Sequence, residues 1–377
     1  MRLIPVAALF LMLLIGCERY EASEDERLDM NSFTREWTGP YGGVPNFTDL
    51  NLNDLKSALI MGMDQTRSEI YEIANQSEKP TFENTILALE ETGRLLDRVF
   101  SYYGVLSSNL STPEFRTIQE SMAPKISQFY AEINHDNKIF KRIEHLFTNK
   151  ELLALDKEQE RLLTLKYKNL IRNGAALSDS QKRRYQNINI RLSELHTKFS
   201  NNVLDATNKW FLILEEQSQV AGLPERVLEL MSISAQKHLK NDEIINPKIG
   251  PWKLSLDIPT YTAFMTYSKN RDLREKLYKA FVGRASKGNE DNNIIIKEIL
   301  DLRQKQSNIL GYKSWADLSL STKMANDIQT VEKLLEELRE PSYKTAEKEL
   351  ANLNDFAHNN GFNSNEKIEP WDINFWS

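Results

Sequence analysis

From Leu50 onward, apolar residues return every three or four positions almost to the end of the chain. Leu52, Leu55, Leu59, Met63, Ile70 and Ile73 share one helical face. After Pro80-Thr81 a second stripe begins with Phe82, Ile86, Leu89, Leu96 and Val99. A third follows Thr112-Pro113-Glu114: a hydroxyl cap, a proline in the first turn and an acid at the positive end of the dipole. Only 14 Gly and 12 Pro are spread over 377 residues, so little prevents long helices. The expected fold class is all-α.

The longest stripe follows Ser178-Asp179 and holds Tyr185, Ile188, Leu192, Leu195, Phe199, Val203 and Ala206. Its gaps suit two packed antiparallel helices or a coiled-coil-like hairpin. One stretch has a different period. Trp252, Leu254 and Leu256 alternate with Lys253, Ser255 and Asp257 between Gly250-Pro251 and Pro259, which predicts a small β element near residues 252–257. Gly311 sits where a helix C-cap belongs, and Pro341 is expected to break or kink the helix after Leu338.

The N-terminus has another character. Met1-Arg2 leads an apolar run from Leu3 to Ile15, shorter than the roughly 20 residues that span a bilayer. It reads as a secretory signal. The run ends Leu14-Ile15-Gly16-Cys17, which resembles the bacterial lipobox, and Cys17 is the only cysteine. Residues 1–16 are therefore expected to be a signal peptide and Cys17 the site of lipidation. Residues 17–40 are expected to be a lipid-anchored flexible linker, because Glu18–Arg35 is polar and aperiodic. The resulting expectation is a protein on the periplasmic side of a bacterial membrane. Glu18, where an Asp would favour inner-membrane retention, leans it toward the outer membrane. With no second cysteine the mature chain can form no internal disulfide. The net charge of −6 gives no reason to expect nucleic acid, and Lys182-Arg183-Arg184 alternates with apolar helical positions as a solvated face does.

No catalytic or metal-ligating residue can be assigned from the residues themselves. A zinc peptidase motif of the His-Glu-x-x-His kind stacks two imidazoles one helical turn apart, with a Glu between them as general base. The histidines are His135, His145, His196, His238 and His358, and no two are four residues apart. A nucleophilic Gly-x-Ser-x-Gly and a phosphate-binding Gly-x-x-x-x-Gly-Lys are missing too.

A family resemblance rests on short blocks in a fixed order. Pro80-Thr81-Phe82-Glu83-Asn84-Thr85 resembles a signature near the start of the thimet oligopeptidase family of zinc metallopeptidases, which includes oligopeptidase A and peptidyl-dipeptidase (dipeptidyl carboxypeptidase). Leu256-Asp257-Ile258-Pro259-Thr260-Tyr261 resembles that family's strand-to-helix turn. Arg284-Ala285-Ser286 with Asp291-Asn292-Asn293 resembles its next block. Glu298–Arg303, Leu310-Gly311-Tyr312 and Lys323-Met324-Ala325 follow in order, and Trp371-Asp372 is similar to the pair preceding its catalytic region. The details look most like the peptidyl-dipeptidase branch. Bland roles are expected beside these: Gly311 caps a helix, Pro259 starts one, Trp371 fills core and Arg303 pairs with an acid.

The resemblance implies two helical lobes facing a deep narrow channel that admits short peptides. It assigns residues 41–225 to an N-terminal helical lobe and 226–377 to the start of a metallopeptidase domain. It implies zinc as the cofactor of a complete family member, with a metal-bound water activated by a Glu. The implied partners are short peptide substrates, and dipeptide release from C-termini is the expected mode. The zinc motif of the family lies beyond the Trp-Asp pair, and Ser377 follows Asp372 by five residues. These 377 residues are thus expected to lack the C-terminal catalytic half and to be inactive alone, as a fragment or as a half-enzyme completed by another chain. The alternative is a helical peptide-binding or scaffold lipoprotein without catalysis.

Overall fold

A computed structural model describes residues 31–41, 43–240, 246–363 and 365–377. Cys17, the expected signal peptide and most of the expected linker lie outside these residues. The described residues form two compact units. One comes from the described residues up to Glu72 with Glu90–Phe115, the other from the described residues of Ile73–Leu89 and Arg116–Ser377.

In the first unit, α1 (Leu55–Asn75) and α2 (Arg94–Asn109) supply most of the core. Leu55, Leu59, Met63, Leu96, Val99 and Tyr102 are buried at the expected spacing. Gly62 allows a close approach: a Cβ there would lie 2.9 Å from the Cα of Leu96. The polypeptide between the two helices turns at Gly93, whose φ of 81° suits a residue without a side chain.

Within the expected linker 17–40, residues 31–34 depart from a free tether, because they are buried. Phe33 is fully buried and meets the Tyr102 ring edge-on at 5.6 Å. Asn31 donates to the Asp54 carbonyl at 3.0 Å, and Arg98 donates to the Thr34 carbonyl at 2.7 Å. One aromatic side chain with no periodic partner in the sequence finds its slot only in three dimensions.

The second unit begins with a π-helical turn, Phe82–Leu87, and continues through α3 (Pro113–Asn134), α4 (Asn137–Thr148), α5 (Lys157–Arg172) and α6 (Asp179–Lys209). The expected cap at Thr112 is present, its hydroxyl accepting from the Phe115 amide at 3.2 Å. Helix α6 is one unbroken element of 31 residues rather than a hairpin. Its stripe is answered by a partner remote in sequence, α10 (Asn293–Ile309), with Leu192, Leu195, Ile295 and Ile299 buried together.

The β element is confirmed and shortened. β2 (Trp252–Ser255) pairs antiparallel with β1 (Phe211–Leu214), Leu214 facing Trp252 and Phe211 facing Ser255. β1 shows no alternation, so its sequence does not announce a strand. The pair joins residues on both sides of the expected 225/226 boundary, and the compact units do not divide there. Around it pack α7 (Glu225–Leu239), α8 (Ile258–Tyr267) and α9 (Arg271–Val282) over a core of Trp252, Leu254, Met231, Phe264 and Leu277. Burying Trp252 completely contributes about 3 kcal/mol.

α11 (Trp315–Leu320), α12 (Ile328–Asn359) and α13 (Pro370–Trp376) complete the described chain. The expected break at Pro341 does not occur, and α12 continues through it. The surrounding positions are exposed, so water can satisfy the carbonyl that loses its donor. No helix of the described residues is long and apolar enough to cross a membrane.

Candidate functional site

The sequence blocks are anchors of the fold. In Pro80–Thr85, Thr81 caps the π-turn by accepting from the Asn84 amide at 3.1 Å, and Asn84 Oδ1 accepts from the Thr81 amide at 2.8 Å. Arg142 arrives from α4 and is 7% exposed. It donates to Asn84 Oδ1 at 2.9 Å, to the Thr85 hydroxyl at 3.2 Å and to the Glu78 carbonyl at 3.1 Å. Phe82 and Ile86 are buried beside them. Asp257 likewise caps α8 through the Thr260 amide at 3.0 Å, with Pro259 in its first turn as expected. Asn292 is buried, donating to the Phe199 carbonyl at 3.1 Å and accepting from Asn202 at 2.8 Å. Gly311 has φ 83° and follows the end of α10.

Trp371-Asp372 is fixed most firmly. The Asp372 side chain is fully buried. Its carboxylate accepts from Arg271 Nη2 at 2.8 Å, Arg271 Nε at 3.0 Å, Arg274 Nη2 at 2.8 Å and the Glu369 amide at 3.1 Å. Arg274, 2% exposed, also donates to the Trp371 and Ser268 carbonyls. Burial alone would push the Asp372 carboxyl up, but hydrogen bonds from the two guanidinium groups outweigh it and hold the carboxyl below its ordinary value. Trp371 packs against the core around Trp252 as expected. These contacts pin α13 to α9.

A polar groove of about 480 Å³ lies between α3, the end of α5, α6, α10 and α11. Its lining includes Tyr130, Asn189, His196, Arg303, Gln306 and Trp315. Arg303 was expected to pair with an acid. Among the described residues it has no carboxylate partner. Its guanidinium lies 5.0 Å from the Trp315 ring centroid, and Nη2 is 3.4 Å from His196 Nε2. Partial burial, then the nearby Arg303 charge, lower the pKa of His196, so the ring is neutral at neutral pH. Nε of Arg303 and Oε1 of Gln306 are buried without a partner. The sequence singled out Arg303 only as part of a block and gave no sign of Gln306 or of the groove.

An apolar trough of about 660 Å³ between α12 and α13 is lined by Leu350, Leu353, Phe356, Ile373 and Trp376. Along the rest of α12, Leu334, Leu335, Leu338 and Tyr343 are each more than half exposed.

The histidines remain apart. His135 Nε2 lies 2.9 Å from the Asn173 carbonyl, His238 packs on Phe211 and His358 stacks on Phe362. Among the described residues no group of three or more His, Cys, Asp or Glu could hold a metal ion. The residues present therefore do not fit the zinc centre that the resemblance implies.

Comparison with known proteins matches residues 59–182 to "Neurolysin/Thimet oligopeptidase, N-terminal domain" and residues 264–377 to "Peptidase family M3". The chain is 33% identical to oligopeptidase A of Haemophilus influenzae over 341 residues, covering 89% of this chain and 48% of that protein. It is 31% identical to the probable cytosolic oligopeptidase A of Arabidopsis thaliana over 336 residues, 88% of this chain and 47% of the relative. With dipeptidyl carboxypeptidase of Escherichia coli the identity is 27% over 352 residues, 92% and 50% respectively. The chain spans about half the length of the curated relatives it matches.

Proposed function

We propose that this chain, which matches two family models of the M3 peptidases, forms the N-terminal part of a zinc-dependent oligopeptidase of that family that hydrolyses short peptides. The carrying observation is the collinear similarity over nine-tenths of the chain. Its recognisable blocks include the half-buried Asn84 and the buried Asn292 and Asp372, each of which ties distant segments together. The described residues would build walls and supports, and the water-activating chemistry would come from residues other than these.

We also propose that Cys17 carries a lipid and holds the protein at the periplasmic side of a bacterial membrane. The position of the sole cysteine directly after the apolar run and Gly16 supports this reading.

The test is to isolate the protein from its source with an antibody to this chain and assay short fluorogenic peptides beside a folded protein. The expected result is hydrolysis of the peptides, loss of activity with a chelator, recovery with zinc, and sparing of the folded protein. Chelator-resistant cleavage, or no peptide cleavage by the zinc-loaded protein, would refute it.

A further inference from the structure

Two residues lining the polar groove each carry a buried polar atom that nothing among the described residues satisfies, and the two atoms are of opposite kind. Nε of Arg303 is a donor without an acceptor, and Oε1 of Gln306 is an acceptor without a donor. They stand three residues apart on α10, the spacing that makes side chains neighbours on one helical face. Gln306 is 7% exposed and tied through Nε2 to Asn189, so its free oxygen is held in place. Leaving such an atom unpaired disfavours the fold, and a buried unsatisfied group in a native protein calls for a reason.

The surroundings decide the sign of what would answer them. No Asp or Glu is among the residues lining the groove, and His196 contributes no charge at neutral pH. Among the described residues Arg303 is therefore a cation without a carboxylate of its own, beside the Trp315 ring and the His196 imidazole. A guanidinium edge matches a carboxylate better than any other small anion of peptides. The orphan oxygen beside it requires an N–H. One chemical unit offers both at short separation: the last residue of a peptide chain. The groove's volume lies in the ordinary range for ligand sites, and Tyr130, Leu192 and Trp315 offer apolar surface.

We propose that this groove binds the C-terminal residue of a short peptide, its carboxylate on Arg303 and its amide N–H on Gln306 Oε1. The site rests on the reading of the protein as a peptidase and deepens it, making the free C-terminus a feature by which substrates are recognised. A carboxylate could instead come from an acidic side chain, so the test separates the two sources.

Titration calorimetry on the full 377-residue chain would compare acetyl-Leu-Leu, its C-terminal amide, and acetyl-Glu-Leu amide. The free acid is expected to bind at least roughly tenfold more tightly than either amide, the size of a charge-assisted hydrogen bond. Arg303→Gln should erase that preference while leaving the weak binding of the amides. Gln306→Glu, which sets a carboxylate beside the bound one, should also weaken the free acid and serves if Arg303→Gln does not fold. Equal binding of acid and amide, absence of binding, or a preference that survives both substitutions overturns the proposal. Tight binding of acetyl-Glu-Leu amide overturns the C-terminal assignment. Any of these outcomes leaves the peptidase reading standing, because that reading is decided by hydrolysis in the complete protein.

Discussion

Replacing Asp372 by Asn changes little in volume but removes the only carboxylate that, among the described residues, pairs with the buried Arg274 guanidinium. The wild-type carboxylate receives hydrogen bonds from Arg271, Arg274 and the Glu369 amide. An asparagine turns one acceptor oxygen into a donor facing other donors. Arg274 is 2% exposed and cannot swing into water, whereas the Arg271 side chain is 32% exposed and can. Breaking a buried ion pair from one side typically costs about 3–5 kcal/mol, because the surviving charge is left uncompensated. The whole expected stability of a domain is about 5–15 kcal/mol, so this single substitution should consume a large part of it. Urea unfolding followed by tryptophan fluorescence reads the change directly, since Trp371 is adjacent. Arg271→Ala should cost much less, under about 1.5 kcal/mol, because its charge is partly solvated. The pH dependence has a definite sign. The folded carboxyl lies below its ordinary value, so its contribution is complete above the usual carboxylate range, near pH 4, and is lost as pH falls through the lower folded value. Asp372→Asn should flatten that acid limb. A loss below about 1 kcal/mol with an unchanged acid limb would refute the claim that this cluster anchors α13.

Arg142→Ala should destabilise the second unit by about 2–4 kcal/mol, because it removes hydrogen bonds to Asn84, Thr85 and the Glu78 carbonyl together; thermal melting checks it, and Arg142→Lys should recover only part. The exposed row Leu334, Leu335, Leu338 and Tyr343 predicts self-association of the purified 377-residue chain, reduced by Leu335→Lys with Leu338→Lys and measured by analytical ultracentrifugation. Cys17→Ser should move the expressed protein from the membrane fraction to the soluble fraction, and unchanged fractionation would exclude the lipid anchor.

Helices were legible wherever their apolar stripe and its punctuation lie within one segment. Thr112-Pro113, Ser178-Asp179 and Gly311 set boundaries that the structure reproduces. The alternating stretch at 252–257 announced a strand for the same local reason, and its partner β1 stayed hidden because an unbroken apolar run has no period. Pro341 does not break its helix because water can serve the freed carbonyl along an exposed helix. The groove was illegible: Tyr130, His196 and Arg303 are separated by up to 173 positions and meet only because α6 packs on α10.

The sequence by itself determined the helical class, the order of the blocks that carry the family resemblance, and the position of the lone cysteine behind an apolar run. Each is written in residues close together along the chain, where period, capping and composition act. Only the tertiary structure decided that Arg142 serves the first block from 57 positions away, that Asp372 is buried between two guanidinium groups, and that Arg303 faces a groove without an acid. Those facts depend on which charges share a low-dielectric space, and that is fixed by packing between distant segments, on which local spacing is silent.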